Sequence, residues 1–402
     1  MDSTAQLEGA ASLLAMRDQD PYGLYARLRA TGPVTWDEGL RAWLVTGHDA
    51  CAVVERREDL FGPGMGTLRG AVEITGRRSV LTMEGQAHAE LHKFLARAMA
   101  PRVIEPLRPS IRALAEQLLD ELEPEGVVEL WERFASPLPV AVVARVLGLE
   151  HDRAMLARSK AWMEAVLAWR HTYGEDPEIV EAATVAARAS VQDLLPTVRA
   201  RRDEPADDLI SELWRVGPTI LADWSEEDVL DQCRVLFEAG SETTSHLIGT
   251  CVALLAADED LERRVRSEDG ALIRLVEEAL RLWTVVHMRV RVARQDVELG
   301  GVTIRTGDRV HPVNASANRD PARYPRPDQL DIDRPGYASH LAFNVGPRHC
   351  VGAALARMEA AEALAAVLGR VPRVRLDPTR EQPRYLGFVA RSFRPLWLVL
   401  ER

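Results

Sequence analysis

A single cysteine near the C-terminal end of the chain has the surroundings of a metal ligand. Cys350 follows Arg348 by two residues, lies between Gly346 and Gly352, and opens an alanine-rich stretch typical of a helix. Glycine has no Cβ, so its backbone can approach a flat ligand closely. A helix start places free N–H groups and the positive end of the helix dipole beside the sulfur, which favours thiolate over thiol. These features predict a soft anionic ligand to a metal, with Arg348 free to pair with a carboxylate.

An acid and an alcohol lie side by side in the longest predicted helix. The capping box Ser225-Glu-Glu-Asp228 predicts its start, and the pattern continues to about Ala256. Roughly 30 residues make a helix of about 45 Å, long enough to cross the molecule. Its centre holds Ala239-Gly240 and Glu242-Thr243, although glycine inside a helix costs about 1 kcal/mol relative to alanine. Such a conflict often marks a functional site, and we expect the two small residues to leave room for a ligand.

The remaining pattern is mainly helical. A helix is predicted from Tyr22 to Arg29, a strand over Trp43–Val45, and mostly helices from Ala87 to Arg294. Strands follow between Gln295 and Val310, where Gly300-Gly301 predicts a hairpin turn. A helix from Ala353 to Leu368 and a strand-rich tail complete the chain.

These segments resemble the cytochrome P450 family. Phe343-x-x-Gly-x-Arg-x-Cys-x-Gly352 is similar to the haem-binding loop of that family. Ala239-Gly-x-Glu-Thr-Thr244 resembles its Ala-Gly-x-Asp/Glu-Thr-Thr signature. The resemblance runs from Asp20-Pro-Tyr22 through Ser316–Pro321 to the cysteine loop. It implies a mainly α fold, in which residues 1–402 form one helix-rich domain with a minor β-sheet region.

The resemblance also implies the cofactor and the catalytic pair. Haem b would lie between the long distal helix, about 225–256, and the haem-thiolate loop 343–352, with Cys350 as the axial ligand of the iron. Glu242 and Thr243 would be the catalytic acid and alcohol, the carboxylate relaying protons and the hydroxyl holding the distal oxygen with its water. The implied haem contacts are His88, His92, Ala239, Arg291, Phe343, Arg348, Cys350 and Gly352.

Two positions depart from the family pattern. The family usually shows His-x-x-x-Arg where this chain has His88-x-x-x-His92, which removes a permanent charge because histidine titrates near neutral pH. Asn344 stands where bacterial members usually have glycine, but asparagine tolerates unusual backbone angles. A zinc site at the two histidines is the alternative, although the sequence shows neither an HExxH order nor a further ligand set.

A second motif bears on the stability of the cysteine loop. Glu278-Ala-Leu-Arg281 places a carboxylate and a guanidinium on one helical face. On its own such a pair is usually a surface ion pair. Here it resembles the ExxR of the family, whose pair joins an arginine from a later loop, and Arg334 fits that position. The resemblance therefore implies a structural role for all three residues.

The substrate pocket is implied by analogy. Glu238 and His287 are polar at places where apolar residues are common, which suggests that they recognise a polar group on an otherwise apolar substrate. The alternative is that both point away into hydrogen bonds or solvent. The expected pocket residues are Val235, Glu238, Ala239, Val286, His287, Phe388 and Val389.

Composition restricts the class of protein. The 402 residues are 47% hydrophobic and 28% charged, as in a globular protein with a large core. The net charge of −11 argues against a general nucleic-acid binder. Four scattered cysteines without CxxC fit a reducing, cytosolic setting, and we find no apolar run long enough to span a bilayer. We expect a cytoplasmic, monomeric protein without a membrane segment.

The expected reaction inserts one atom of dioxygen into a C–H bond of a small, largely apolar organic substrate, in secondary or xenobiotic metabolism. A thiolate ligand favours O–O cleavage. Electrons would come from NAD(P)H through a ferredoxin reductase and a ferredoxin, since this chain has no flavin domain. One alternative is an oxidase that couples two substrates without oxygen insertion, and another is a non-catalytic haem sensor or carrier.

A basic patch on the thiolate side would steer an acidic ferredoxin. The resemblance places five cationic residues there, and ordinary solvated surface charge is the alternative reading of them. They are Lys93, Arg97, Arg102, Arg348 and Arg357.

Overall fold

Helices make up most of the molecule, as the sequence predicts. The computed structural model describes residues 6–7, 12–16, 19–122, 126–149, 153–336 and 339–400. Within these ranges the α-helices are α1 Tyr22–Thr31, α2 His48–Arg56, α3 Ala71–Thr75, α4 Gly85–Ala98, α5 Pro101–Ile104, α6 Arg108–Leu122, α7 Pro137–Leu147, α8 Arg153–His171, α9 Pro177–Asp203, α10 Leu209–Ile220, α11 Glu226–Ala257, α12 Glu259–Ser267, α13 Ala271–Leu282, α14 Asn314–Ala317 and α15 Ala353–Arg370. A single π-helical turn, Trp131–Ala135, precedes α7.

The strands are short and form small sheets. Those described are β1 Gln6–Leu7, β2 Val34–Asp37, β3 Ala42–Val45, β4 Phe61–Pro63, β5 Val127–Glu129, β6 Arg291–Ala293, β7 Val297–Leu299, β8 Val302–Ile304, β9 Arg309–Pro312, β10 Arg384–Gly387, β11 Arg391–Arg394 and β12 Trp397–Val399. In the described residues the largest sheet has the order β1-β2-β3-β9-β6-β4, and β10-β11, β12-β5 and β7-β8 form pairs. This topology joins the N-terminal strands to β6 and β9 from the C-terminal half.

Several local predictions are confirmed. Helix α1 covers the predicted Tyr22–Arg29 and ends at Thr31. Strands β7 and β8 form the predicted hairpin, with Val297 opposite Ile304. Gly300 and Gly301 take φ values of +61° and +83° in the turn, a conformation that β-branched residues avoid.

Helix α11 passes through the largest apolar core. Ser225 caps it as predicted, since its Oγ accepts from the Asp228 N–H while Asp228 Oδ2 accepts from the Ser225 N–H at 2.8 Å. The helix spans 32 residues, Glu226–Ala257, close to the predicted range of about 225–256. Buried apolar residues of α6, α7, α13 and α15 belong to the same core. A central helix with neighbours on several sides gives a rigid platform for its side chains.

The glycine inside α11 has a packing explanation. A Cβ on Gly240 would lie 2.8 Å from Cγ2 of Val143 on α7, closer than atoms can approach. The expectation that Gly240 makes room for a ligand is therefore wrong. The glycine allows α7 to pack closely against α11, and its cost in helix propensity is offset by that packing.

Candidate active site

A largely apolar cavity joins the two motifs that the sequence singles out. The volume open to the centre of a water molecule is about 290 Å³. Its wall includes Cys350 from the loop before α15 and the pair Glu242-Thr243 from α11. The other predicted residues on the wall are His88, His92, Val235, Glu238, Ala239, Val286, Arg291, Phe343, Arg348 and Val389. The structure thus brings residues from five separate parts of the chain to one cavity.

His287 and Phe388 do not line this cavity, contrary to the prediction. His287 is fully buried, with Nδ1 3.0 Å from the Tyr25 hydroxyl and Nε2 2.7 Å from the Tyr385 hydroxyl. Phe388 is also fully buried and packs edge-on against Tyr173. Both side chains therefore contact other buried residues of the protein and not the cavity. For His287 the alternative given above, a side chain turned into hydrogen bonds, is the one observed.

Backbone geometry shapes the cysteine loop. Gly346 has a φ of +78°, and a Cβ there would lie 2.9 Å from the backbone of Arg56. Asn344 has a φ of +68°, so it takes the left-handed conformation expected of a residue in place of glycine. The N–H of Cys350 donates to the Phe343 carbonyl at 2.8 Å, which closes the loop. Gly352 lies outside the cavity wall, where it precedes α15 and donates its N–H to the cysteine sulfur.

The helix start does not by itself favour the thiolate. Burial raises the pKa of the Cys350 thiol, although the N–H of Gly352 acts in the opposite direction. The first residue of α15 is Ala353, so the sulfur lies before the helix, and loss of hydration has a larger effect on the thiol than the Gly352 N–H. The predicted effect of a free N–H is present at Gly352, but it is smaller than the opposing effect of burial. A metal cation, which deprotonates a bound thiol outright, supplies what the loop lacks.

Cationic groups gather on the cavity wall. Arg291 donates to Glu55 and Arg348 donates to Glu58, at 2.6 Å and 2.7 Å. Arg289, which the sequence analysis did not single out, also lines the cavity. A second arginine in Arg289-Val-Arg291 is the signal that could have identified it.

Some buried nitrogen atoms in this group have no hydrogen-bond partner in the described part of the chain. They are Arg289 Nη1, Arg348 Nε and His88 Nε2. Burial, with the charge of Arg348, lowers the pKa of His88 to about 4, so this imidazole is neutral at physiological pH. His92 instead places Nε2 2.7 Å from the carbonyl of His349 and so links α4 to the cysteine loop. Orphaned donors in a cationic group indicate that an acidic ligand belongs here.

On the α11 side of the cavity, Glu242 and Thr243 each form a hydrogen bond with a residue four positions away in the same helix. Glu242 Oε1 lies 2.8 Å from His246 Nε2, and the Thr243 hydroxyl donates to the Ala239 carbonyl at 2.8 Å. Burial is the largest single effect and raises the pKa of Glu242, but His246, Arg394 and His171 together outweigh it, so the pKa lies below its usual range. The carboxyl that the sequence predicts to be catalytic is thus held by a histidine that the sequence analysis did not name.

Glu238 lies one helical turn before Glu242 and also lines the cavity. Its Oε2 accepts from Arg170 Nη2 at 2.6 Å. Burial raises the pKa of Glu238 even though Arg170 acts against that shift. Arg170 comes from the end of α8, far away in the sequence, and it also lines the cavity.

The three residues of the ExxR motif meet as the resemblance implies. Arg281 donates to both carboxylate oxygens of Glu278, at 2.8 Å and 2.7 Å, and Arg334 Nε approaches Glu278 Oε1 at 3.3 Å. Glu278 and Arg281 are fully buried. Arg281 also donates to the carbonyls of Asn318, Pro327 and Gln329. The pair therefore fixes the chain segment that leads to the cysteine loop.

The neighbouring Glu277 connects α13 to the cysteine loop more directly. Its carboxylate bonds Arg357 and lies 3.1 Å from His340 Nε2. Burial raises its pKa, but His340 and Arg357 outweigh that and hold it at about 2. The Arg357 guanidinium lies 4.4 Å from the ring centroid of Phe343. These contacts hold the first residue of the loop in place.

The expected basic patch is smaller than the sequence suggested. Lys93, Arg97 and Arg102 are exposed on α4 and α5. Arg348 turns into the cavity, and Arg357 is engaged with Glu277. Three of the five cationic residues thus remain on the surface.

The comparisons with known proteins agree with this geometry. The family model described as Cytochrome P450 matches residues 206–389. The 6-deoxyerythronolide B hydroxylase of Saccharopolyspora erythraea is 34% identical over 372 residues, covering 89% of this chain and 90% of that protein. The chain belongs to the cytochrome P450 family.

Other relatives of this cytochrome P450 support the assignment. The monooxygenase PikC of Streptomyces venezuelae is 34% identical over 367 residues, which cover 89% of this chain and 85% of that protein. The solved structure of myxobacterial CYP267B1 with myristic acid has a TM-score of 0.87 and 29% identity, covering 98% of this chain and all of that one. That of CYP109E1 from Bacillus megaterium with testosterone has a TM-score of 0.86 and 26% identity, covering 97% and 100%.

Membership of the family establishes the class of chemistry. The protein is a monooxygenase that carries haem b and uses dioxygen and a redox partner on a small-molecule substrate. The cavity fits haem, since it combines a sulfur ligand, apolar walls and orphaned cationic donors suited to two propionates. Among the described helices, none combines the length and the apolar character needed to cross a membrane.

Proposed function

We propose that this cytochrome P450 hydroxylates a small, largely apolar organic molecule by inserting one atom of dioxygen into a C–H bond. The observation that carries the proposal is an apolar cavity whose wall holds both Cys350 and the pair Glu242-Thr243. A protein that only carried or sensed haem would not need an acid beside an alcohol. The pair lies where protons must be managed in an otherwise apolar space.

In the proposed assignment the loop and the arginines seat the cofactor. Cys350 ligates the iron, and Arg289, Arg291 and Arg348 pair with the propionates, with His88 as a neutral partner. When bound, haem supplies the activation of dioxygen, and the thiolate favours cleavage of the O–O bond. Arg291 and Arg348 are at present paired with Glu55 and Glu58, and propionates would replace those partners.

The residues of α11 handle the protons in this proposal. The Thr243 hydroxyl, now donating to the Ala239 carbonyl, is free to turn because threonine in a helix has two accessible side-chain rotamers. Glu242 Oε1 is bonded to His246, and no hydrogen bond to Oε2 is found within the described part of the chain. Oε2 is therefore the oxygen that can take a proton from water in the cavity and release it toward Thr243.

The substrate class rests on the cavity and on relatives. These relatives include a hydroxylase of 6-deoxyerythronolide B, a hydroxylase/epoxidase of mycinamicin IV, and proteins solved in complex with testosterone and with myristic acid. All four molecules are largely apolar and carry oxygen-containing groups. We propose that this protein likewise takes an apolar substrate with a polar group, in secondary or xenobiotic metabolism.

Electron supply and setting are parts of the same proposal. A ferredoxin reduced by NAD(P)H through its reductase would dock near the exposed Lys93, Arg97 and Arg102, because opposite charge steers association. We propose a monomeric cytoplasmic enzyme in which residues 1–402 form one domain.

Labelled dioxygen tests the reaction directly. The haem-loaded protein would be supplied with NAD(P)H, a ferredoxin and its reductase, with testosterone and myristic acid as probes. We expect a product that gains one labelled oxygen atom. Glu242→Gln and Thr243→Ala should form less product for each NAD(P)H consumed. Products that are oxidised or coupled without the label would instead favour the oxidase that transfers no oxygen.

The Glu238–Arg170 pair is expected to select for a polar group. The two charged side chains of the pair lie on a mostly apolar wall, and Arg170 Nε has no hydrogen-bond partner among the described residues. Wild type should bind menthol more tightly than menthane, which has the same skeleton without the hydroxyl. Glu238→Gln should reduce that preference about tenfold, since a hydrogen bond to a charged group contributes about 1.5 kcal/mol. Spectral titration of the haem band would measure both affinities.

His287→Ala is the matched control for this prediction. It should leave the menthol preference unchanged because His287 lies behind the cavity wall, bonded to Tyr25 and Tyr385. It should lower the free energy of unfolding by about 2 kcal/mol, since an unpaired buried hydroxyl costs about 1–3 kcal/mol. Equal preferences in wild type and Glu238→Gln would refute the role of the pair.

A further inference from the structure

A buried histidine lies one turn after the acid of the acid–alcohol pair. Residues four apart occupy one face of a helix, and α11 places His246 Nε2 2.8 Å from Glu242 Oε1. A carboxylate can only accept, so the Nε2–H donates. This contact is set by the helix itself and needs no other element to bring the two residues together.

The surroundings of His246 close it off from water. The side chain has no exposed surface, and it is absent from the cavity wall formed by Glu242 and its neighbours. The edge of Trp131 packs at 4.9 Å between ring centroids. Nδ1 is buried without a hydrogen-bond partner among the described residues. His246 therefore has one polar contact, and that contact is Glu242.

Other charged groups face Glu242 from the elements around it. Arg394 of β11 and His171 at the end of α8 act on it at longer range, and both favour the carboxylate. Glu238, one turn earlier on α11, is a like charge, but it is paired with Arg170. Of these groups, His246 makes the hydrogen bond.

We propose that His246 is a positioning residue that holds Glu242 as a carboxylate, with Oε1 fixed and Oε2 left to the cavity. This inference rests on the proton-handling role proposed for Glu242. A proton from cavity water then enters at Oε2 and leaves from Oε2, while His246 keeps its Nε2 proton throughout. With no partner at Nδ1, the imidazole has no route to pass a proton onward. His246 therefore orients the acid and does not carry the proton itself.

The proposal predicts the direction in which the pKa of Glu242 should shift when His246 is replaced. In wild type the pKa of Glu242 lies below its usual range because His246, with smaller contributions from Arg394 and His171, outweighs burial. Without that contact burial dominates, and the carboxyl should take up its proton at a higher pH. The midpoint should rise by about one pH unit, the smaller end of what a single charged or hydrogen-bonded partner produces. Turnover should shift along the pH axis in the same direction.

Infrared difference spectroscopy of the haem-loaded protein across pH would measure this midpoint. The carbonyl band of protonated Glu242 is identified by its absence in Glu242→Gln. We expect the higher midpoint in His246→Leu, and also in His246→Phe, which keeps an aromatic ring against Trp131. His246→Gln, which retains an N–H donor at similar reach, should recover most of the wild-type midpoint. The thiolate-type band of the reduced, CO-bound protein reports whether each variant has folded and loaded haem.

The outcomes separate this inference from the proposed function. A midpoint that is the same in wild type, His246→Leu and His246→Phe would overturn the holding role of His246, whatever the turnover. Wild-type turnover in Glu242→Gln would overturn the proton-handling role of Glu242. Ligand affinity for menthol should be unchanged in all His246 variants, because this side chain does not reach the cavity.

Discussion

Cys350→Ser is expected to abolish the thiolate-type band of the reduced, CO-bound protein and to reduce turnover by more than about 100-fold. Even outer contacts of a metal ligand change affinity or activity by about 10- to 100-fold, and this change removes the proposed ligand itself. Serine keeps the shape of the loop, where the N–H of residue 350 bonds the Phe343 carbonyl. The hydroxyl is a harder, far less acidic ligand than the thiol. Difference spectra with CO and NAD(P)H-driven product formation would measure both effects.

Cys251→Ala is the matched control. Cys251 is a fully buried cysteine of α11, where burial raises the pKa of its thiol and keeps it neutral. Its replacement should leave the band and the turnover close to wild type. A thiolate-type band that persisted in Cys350→Ser would mean that another group ligates the iron, and the assignment of the loop would fail.

The motifs that the sequence predicted correctly are local in the chain. The bounds of α11 follow from a capping box and a continuous helical pattern. The β7–β8 hairpin follows from two adjacent glycines between short apolar runs. The left-handed conformation of Asn344 follows from its place in a loop that otherwise uses glycine. In each case neighbouring residues determine the geometry, so the sequence alone is sufficient.

His246, a partner that the sequence missed, lies one turn from Glu242, but other missed partners lie far away along the chain. Arg291 meets Glu55 across 236 positions, and His287 meets Tyr25 across 262. A polar residue in an apolar stretch reads as a substrate contact until its distant partners are known. The same applies to Gly240, whose small size serves Val143 on α7 rather than a ligand. Tertiary contacts decide these roles, and no local pattern contains them.

The cysteine loop shows a different kind of limit. The sequence suggested that a helix start would stabilise the thiolate, but burial has the larger effect on the pKa of Cys350. Cys350 is exposed to the cavity, and the loss of hydration at its sulfur depends on how the surrounding elements enclose that cavity, which a motif does not specify. The charge balance of the site is therefore completed by the cofactor and not by the loop alone.

Arg281→Ala is expected to lower the free energy of unfolding by about 3 kcal/mol, the lower end of what removing one member of a buried ion pair costs. Glu278 would lose both hydrogen bonds from Arg281 but keep its 3.3 Å contact with Arg334. Glu278 is fully buried, and the carbonyls of Asn318, Pro327 and Gln329 would lose a donor as well. Urea unfolding followed by circular dichroism would measure the loss. The thiolate-type band should disappear at lower urea than in wild type, because the segment leading to the cysteine loop is released.

The chain supplies a control with the same spacing. Glu212-Leu-Trp-Arg215 is also an ExxR on a helix, and Arg215 Nε donates to Glu212 at 3.0 Å. Both of its side chains are largely exposed, at 68% and 44%, so water replaces the lost contact. Arg215→Ala should therefore unfold at nearly the same urea concentration as wild type. If both variants lost stability equally, the motif and not its burial would determine the effect, and the structural role assigned to Glu278, Arg281 and Arg334 would be wrong.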